Sequence, residues 1–103
     1  MKLPQLSIVI ENRAGSMIAP CELLAEAGIN IVTLSLAEQG RTGILRLIVA
    51  EWRRALELLL EAGYQVTVCD VVAIEVADRP GGRLGLLKLV GEAGVNVSHM
   101  YAF

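Results

Sequence analysis

LSIVIENRAGSMIAPCELLAEAGINIVTLSL, residues 6–36, reads as strand, turn, helix and strand in succession. Leu6 to Glu11 is a β-branched run that favours a pleated backbone. Asn12-Arg13-Ala14-Gly15-Ser16 has the composition of a turn. Met17, Cys21, Leu24 and Ala27 then recur at helical spacing, and Gly28 supplies a helix stop. Pro20 is tolerable only near a helix N-terminus, so the helix is expected to start late. Ile29 to Leu36 is again rich in β-branched residues and predicts a second strand.

Outward from this unit, Glu38 to Gly43 holds two glycines and predicts a turn between strands, with Ile44 to Val49 as the third strand. Trp52, Leu56, Leu59 and Leu60 form one stripe of a second helix, which Gly63 ends, and Tyr64 to Cys69 is a fourth strand. The order βαββαβ predicts an α+β, ferredoxin-like sandwich, because right-handed crossovers place both helices on one sheet face. The other face would stay open. The strands are apolar at both parities, with Ile8 and Ile10 against Val9, and Leu45 and Leu47 against Ile44 and Ile48, so that open face is expected to want a covering layer.

The strand–turn–helix–strand pattern then returns at an offset of 66 residues. Arg13 matches Arg79, Gly15 matches Gly81, Glu26-Ala27-Gly28 matches Glu92-Ala93-Gly94, and Asn30 matches Asn96, with Asn12 and Asp78 in equivalent places. Asp70 to Ala77 is expected to be a strand, Leu86, Leu89, Val90 and Ala93 mark a helix stopped by Gly94, and Val95 to Phe103 is a last strand. The expected organisation is a complete unit over residues 1–69 and a βαβ half unit over residues 70–103.

The chain has 103 residues, 54% of them hydrophobic, and a mean hydropathy of +0.57. A small chain this apolar is expected to bury its surplus against another chain, most simply a second copy. The net charge is −2, with 9 basic and 11 acidic residues spread along the sequence, so nucleic acid is not an expected partner. The longest charge-free runs, Ala27 to Ala37 and Ala93 to Phe103, are far below a membrane span, and Met1 to Leu6 has no apolar signal region. Cys21 and Cys69 lie in no CxxC motif and predict buried thiols of a cytoplasmic protein.

An enzyme needs a nucleophile–base pair or a metal cluster. His99 stands alone on the last expected strand, and Glu22, Glu26, Glu51, Glu57, Glu61 and Glu92 fall on helix surfaces. Glu75 alternates with apolar neighbours on a strand and is expected to face the open side. Acyl-phosphate hydrolysis, which this scaffold can host, needs a glycine-rich cradle with an Arg and an Asn. Arg13, Gly15 and Asn30 supply the residue types, but Ala14 leaves the first turn one glycine short. No catalytic residue, metal or cofactor is therefore expected.

The glycine turns suit binding instead. A turn that opens a helix presents free backbone N–H groups and the positive end of the helix dipole, which favours a carboxylate. Asn12 or Asp78 offers a side-chain oxygen to an ammonium group. The same glycines and asparagines would equally serve as plain turn and strand-start residues, and spacing leaves both readings open.

Asp78-Arg79-Pro80-Gly81-Gly82, followed by a helix and Glu92-Ala93-Gly94-Val95-Asn96-Val97, resembles the signature of ACT domains. Asn12-Arg13-Ala14-Gly15 with Ala25-Glu26-Ala27-Gly28-Ile29-Asn30-Ile31 is a looser copy. Gly43-Ile44-Leu45-Arg46-Leu47-Ile48-Val49 and Met100-Tyr101-Ala102-Phe103 resemble stand-alone tandem ACT proteins of bacteria and archaea. Ala14 departs from the usual proline, and Arg83 from a common leucine.

The resemblance implies a non-catalytic module that binds an amino acid at interfaces between ACT units and regulates amino-acid metabolism, as a dimer or with a metabolic enzyme in trans. The ligand would lie between the first turn of one unit and the second strand of a neighbour. Carried over, those positions are Asn12, Gly15 and Ser16 with Asn30 and Ile31, then Asp78, Gly81 and Gly82 with Asn96 and Val97. The alternative is a ligand-free dimerisation module.

Overall fold

Strand β1 (Lys2–Glu11) leads through a turn into helix α1 (Ile18–Glu26), then β2 (Ile31–Gln39), β3 (Thr42–Val49), helix α2 (Trp52–Glu61) and β4 (Gln65–Val72). This computed structural model describes residues 2–72 together with Gly82, Leu84, Gly85, Lys88 and Glu92, each of these five helical. The sheet order is β2-β3-β1-β4, and β3 pairs antiparallel with both β1 and β2. This is the βαββαβ, ferredoxin-like arrangement. The chain divides into two compact units, Leu3–Asp70 and Met1–Lys2 with Val71–Phe103.

Period-2 alternation places one face of the sheet under the helices. Leu6, Ile8 and Ile10 of β1 and Leu45, Leu47 and Val49 of β3 meet Leu24 of α1 and Ala55 and Leu59 of α2 in one aliphatic core. Burying each large aliphatic side chain contributes roughly 1.5–3 kcal/mol.

Both helices end alike. The amides of Gly28 and Ile29 return to the carbonyls of Ala25 (3.0 Å) and Leu24 (2.9 Å). Those of Gly63 and Tyr64 return to Leu60 (3.0 Å) and Leu59 (3.1 Å). These paired bonds are Schellman caps, which need a left-handed residue just past the helix, and Gly28 (φ +74°) and Gly63 (φ +91°) supply it.

Several sequence expectations shift. β1 begins at Lys2 rather than Leu6; its ladder with β3 runs from Leu6, so Pro4, which has no N–H to give, stands before those pairs. β2 begins at Ile31, not Ile29, because Ile29 is used by the Schellman cap. The turn expected over Glu38 to Gly43 shortens to Gly40-Arg41, and Glu38, Gln39, Thr42 and Gly43 are ladder residues. Gly40 has φ +64° and no other residue of the turn has positive φ, the pattern of a II′ hairpin.

Leu60 is about half exposed and Ala55 takes its place in the buried stripe of α2. β4 continues through Val72, where a new strand was expected from Asp70. Cys69, expected to be buried, is exposed, and Cys21 is half-buried. Gly82, expected in a turn, is helical.

The face away from the helices is mixed rather than apolar: Ser7, Arg46 and Ser35 share a row, as do Val9, Ile44 and Ala37. Glu75, His99 and the strand expected over Val95 to Phe103 lie outside the described residues.

Candidate functional site

The β1–α1 turn is built from its own backbone. The amides of Arg13, Ser16 and Ile18 bond to the carbonyls of Glu11 (3.0 Å), Arg13 (3.3 Å) and Gly15 (3.0 Å). The Ser16 hydroxyl lies within reach of two carbonyl acceptors, Glu11 O and Arg13 O, and so braces the turn. Gly15 has φ +82°, a conformation side chains resist. Among the described residues, the amides of Ala14, Gly15 and Met17 have no backbone acceptor. Met17 caps α1 without a side-chain hydrogen bond, so no side-chain oxygen screens the positive end of the helix.

A second element closes on the turn from across the sheet. The Asn12 side-chain amide donates to Gly40 O at 2.7 Å, and the Asn12 backbone amide donates to Arg41 O at 2.9 Å. Asn12 thereby pins the β2–β3 hairpin beside the β1–α1 turn and keeps its Oδ1 as a side-chain acceptor. Between the two lies a cleft of about 400 Å3, within the range of small-molecule sites. Ile10, Met17, Leu36 and Gly43 are its apolar lining, and Asn12, Ser16, Glu11 and Glu38 bring polar groups. Arg13 pairs with Glu11 at 2.9 Å, both side chains largely exposed, so the pair contributes little to stability.

The cleft thus brings together apolar side chains, turn residues whose amides have no backbone acceptor, and the carboxylates of Glu11 and Glu38. Among the described residues it holds no nucleophile beside a base. Cys21 sits half-buried on α1, and burial pushes its thiol above the ordinary value, which keeps it protonated and unreactive near neutral pH.

The whole sequence, residues 1–103, matches the family described as the ACT domain pair. The chain belongs to this family.

No curated protein matches the chain. Among solved structures, this ACT domain pair is similar to protein BT0572 from Bacteroides thetaiotaomicron. That match has a TM-score of 0.94 and 36% identity, and covers 100% of this chain and 72% of that one. It also resembles the ligand-free regulatory subunit of aspartate kinase from Thermus thermophilus. There the TM-score is 0.73 and the identity 18%, with 98% and 76% of the two chains covered. The aspartokinase alpha and beta subunits give 0.61 and 15%, with 99% and 80% covered. The last two likenesses are of fold.

Within residues 2–72 the expected site residues separate into two groups. Asn12, Gly15 and Ser16 are together at the turn, next to the β2–β3 hairpin. Asn30 and Ile31 stand at the start of β2, whose other end, Gln39, pairs with Thr42 beside that hairpin. Along nine residues of strand this is about 26 Å at about 3.3 Å per residue. The Asn30 carbonyl accepts from the Ala50 amide at 3.2 Å, and its side chain is exposed. Of the second set, Gly82 is described and half-buried in a helix, whereas Asp78, Gly81, Asn96 and Val97 lie outside the described residues. Leu36, Glu38 and Gly43 were not expected at the site; they enter it because the hairpin folds back onto β1.

Proposed function

We propose that this ACT domain pair is a non-catalytic regulatory module that binds an amino acid at the β1–α1 turn. The observation that carries this reading is the pairing of unused turn amides with a partly apolar cleft and acidic oxygens on its rim. The α-carboxylate would take the amides of Gly15 and Met17, and the ammonium group would take Asn12 Oδ1 and the Glu38 carboxylate. The chain then acts through a change of affinity for a partner, such as a second copy or a metabolic enzyme in trans. Residues 1–69 and 70–103 serve as two ACT units, and Asn30 and Ile31 of one unit complete the turn of a neighbour. The second turn, with Asp78, Gly81, Gly82, Asn96 and Val97, forms the equivalent site. The setting proposed is the cytoplasm. Among the described residues no helix is long and apolar enough to cross a membrane.

A thermal-shift series with the twenty amino acids tests this. A ligand that binds only the folded state at about 100 times its Kd adds about 2.7 kcal/mol, a rise of several degrees in Tm. If no amino acid raises Tm, the reading fails.

One observation favours a second reading, a dimerisation module without ligand. Val32, Leu34 and Leu36 of β2 are 45–58% exposed on the outer strand of the described sheet. In that case the protein is a dimer in solution and no amino acid shifts its melting.

A further inference from the structure

β3 is an interior strand, paired with β1 on one side and β2 on the other, and Arg46 is its charged residue. Arg46 lies on the face away from the helices. In register it stands between Ser7 of β1 and Ser35 of β2. The next rows on that face are apolar or neutral: Ile44 with Val9 and Ala37, and Ile48 with Thr33. Directly opposed side chains in a sheet have Cβ atoms about 5 Å apart, so Ser7, Arg46 and Ser35 form one polar cluster.

Two groups of this cluster are unsatisfied. Arg46 is half-buried, and among the described residues it makes no ion pair and no side-chain hydrogen bond. The Ser35 hydroxyl oxygen is buried, and among the described residues it has no hydrogen-bond partner. A guanidinium drawn partly out of water wants an acceptor, and a buried hydroxyl is normally paired. The β1–α1 cleft explains neither. Its strand residues Ile10, Leu36 and Gly43 belong to rows on the opposite, helix-covered face.

We propose that Arg46, with Ser35 and Ser7, forms a second binding site on this chain, for a small free carboxylate. A carboxylate accepts from both prongs of the guanidinium fork, and its oxygens retain lone pairs for the flanking hydroxyls. Water does not reach the Ser35 hydroxyl, so the long Arg46 side chain must turn for the ligand to meet it. Charge selects the class. Arg46 is the only charged residue in these three rows, so the site balances one negative charge. A phosphate, with about two negative charges near neutral pH, would be left half balanced.

The test is nuclear magnetic resonance on the full, isotopically labelled chain. It is titrated with sodium acetate and, at matched ionic strength, with sodium chloride and sodium phosphate. The Arg46 Nε–H signal is identified by its loss in Arg46→Leu. Acetate is expected to move that signal along a saturable curve, more tightly than phosphate, and chloride is not expected to move it. Ser35→Ala should weaken acetate about tenfold, the worth of one hydrogen bond to a charged group. Arg46→Leu should be at least as stable as the native chain in urea, because it removes an unpaired guanidinium from the sheet. A clear loss of stability makes Arg46 a structural residue and overturns the site. So does an absent acetate response, an equal response to chloride, tighter binding of phosphate, or unchanged acetate affinity in folded Ser35→Ala. If the signal moves with protein concentration and not with acetate, the acceptor belongs to a second copy and the free-carboxylate site is wrong.

Discussion

At Gly15 the backbone holds φ at +82°, whereas Gly43 sits in ordinary strand geometry, so the same residue type answers different demands at the two sides of one cleft. A methyl group at Gly15 would have room, since Ile18 Cδ1 is 3.8 Å from where its Cβ would be, but the left-handed conformation itself costs about 1–2 kcal/mol for an L-residue. Gly15→Ala is therefore expected to lower stability by about that amount in urea denaturation. Gly43→Ala is expected to be neutral or to stabilise by about 0.5–1 kcal/mol, because it removes backbone freedom from the unfolded chain without strain. If Gly43→Ala destabilises by more than Gly15→Ala, the assignment of strain to the turn is wrong. The cysteines also divide by environment. Burial raises the Cys21 thiol, so its thiolate fraction at neutral pH falls below that of a free thiol, while Cys69 is exposed. Iodoacetamide at neutral pH should label Cys69 first, and labelling of Cys21 should rise only as the pH is raised; mass spectrometry of the peptides reads the order.

Elements differ in how much of them local chemistry dictates. The α2 helix shows both cases. Its Gly63 stop was legible because the Schellman cap needs positive φ, a purely local requirement. Its buried face was not fully legible: apolarity selected Leu60, while the 3.6-residue period selects Trp52, Ala55, Leu56 and Leu59, with alanine too small to attract notice. Leu24→Ala, at a fully buried position of α1, is expected to cost about 2–5 kcal/mol, and Leu60→Ala about 0.5 kcal/mol or less. Equal effects in denaturation would contradict the packing described here.

The same distinction governs the cleft. Its turn wall, Asn12 to Ser16, was readable as a turn from residue types, whereas its place in a binding site came from the resemblance to ACT domains. Leu36, Glu38 and Gly43 become its other wall only through the II′ hairpin, which shortens the turn and returns Gly43 to the ladder. A six-residue polar stretch with two glycines gives no sign of which glycine turns and which pairs.

For the whole molecule, the separation inside one unit is the controlling length. The cleft at the Gly15 turn reaches β2 at Leu36, five residues or about 17 Å of strand from Ile31, too far for one amino acid to touch both. If Asn30 and Ile31 contribute to binding, they do so to the turn of a neighbouring unit, and ligand affinity then depends on how units assemble. The outer strand β2 carries the exposed Val32, Leu34 and Leu36, a surface that soluble sheets normally cover or charge. A homodimer is the assembly proposed, and Leu34→Lys should shift it toward monomer in light scattering at micromolar concentration without loss of helical signal. Asn30→Ala, exposed and outside the core, should leave stability within about 0.5 kcal/mol yet weaken amino-acid binding in calorimetry. Linkage makes the two effects reciprocal: if a ligand is shared between units, it must strengthen assembly by the same factor by which assembly strengthens its binding. A monomer at micromolar concentration would remove the homodimer. Unchanged affinity in Asn30→Ala would confine the site to the cleft of a single unit.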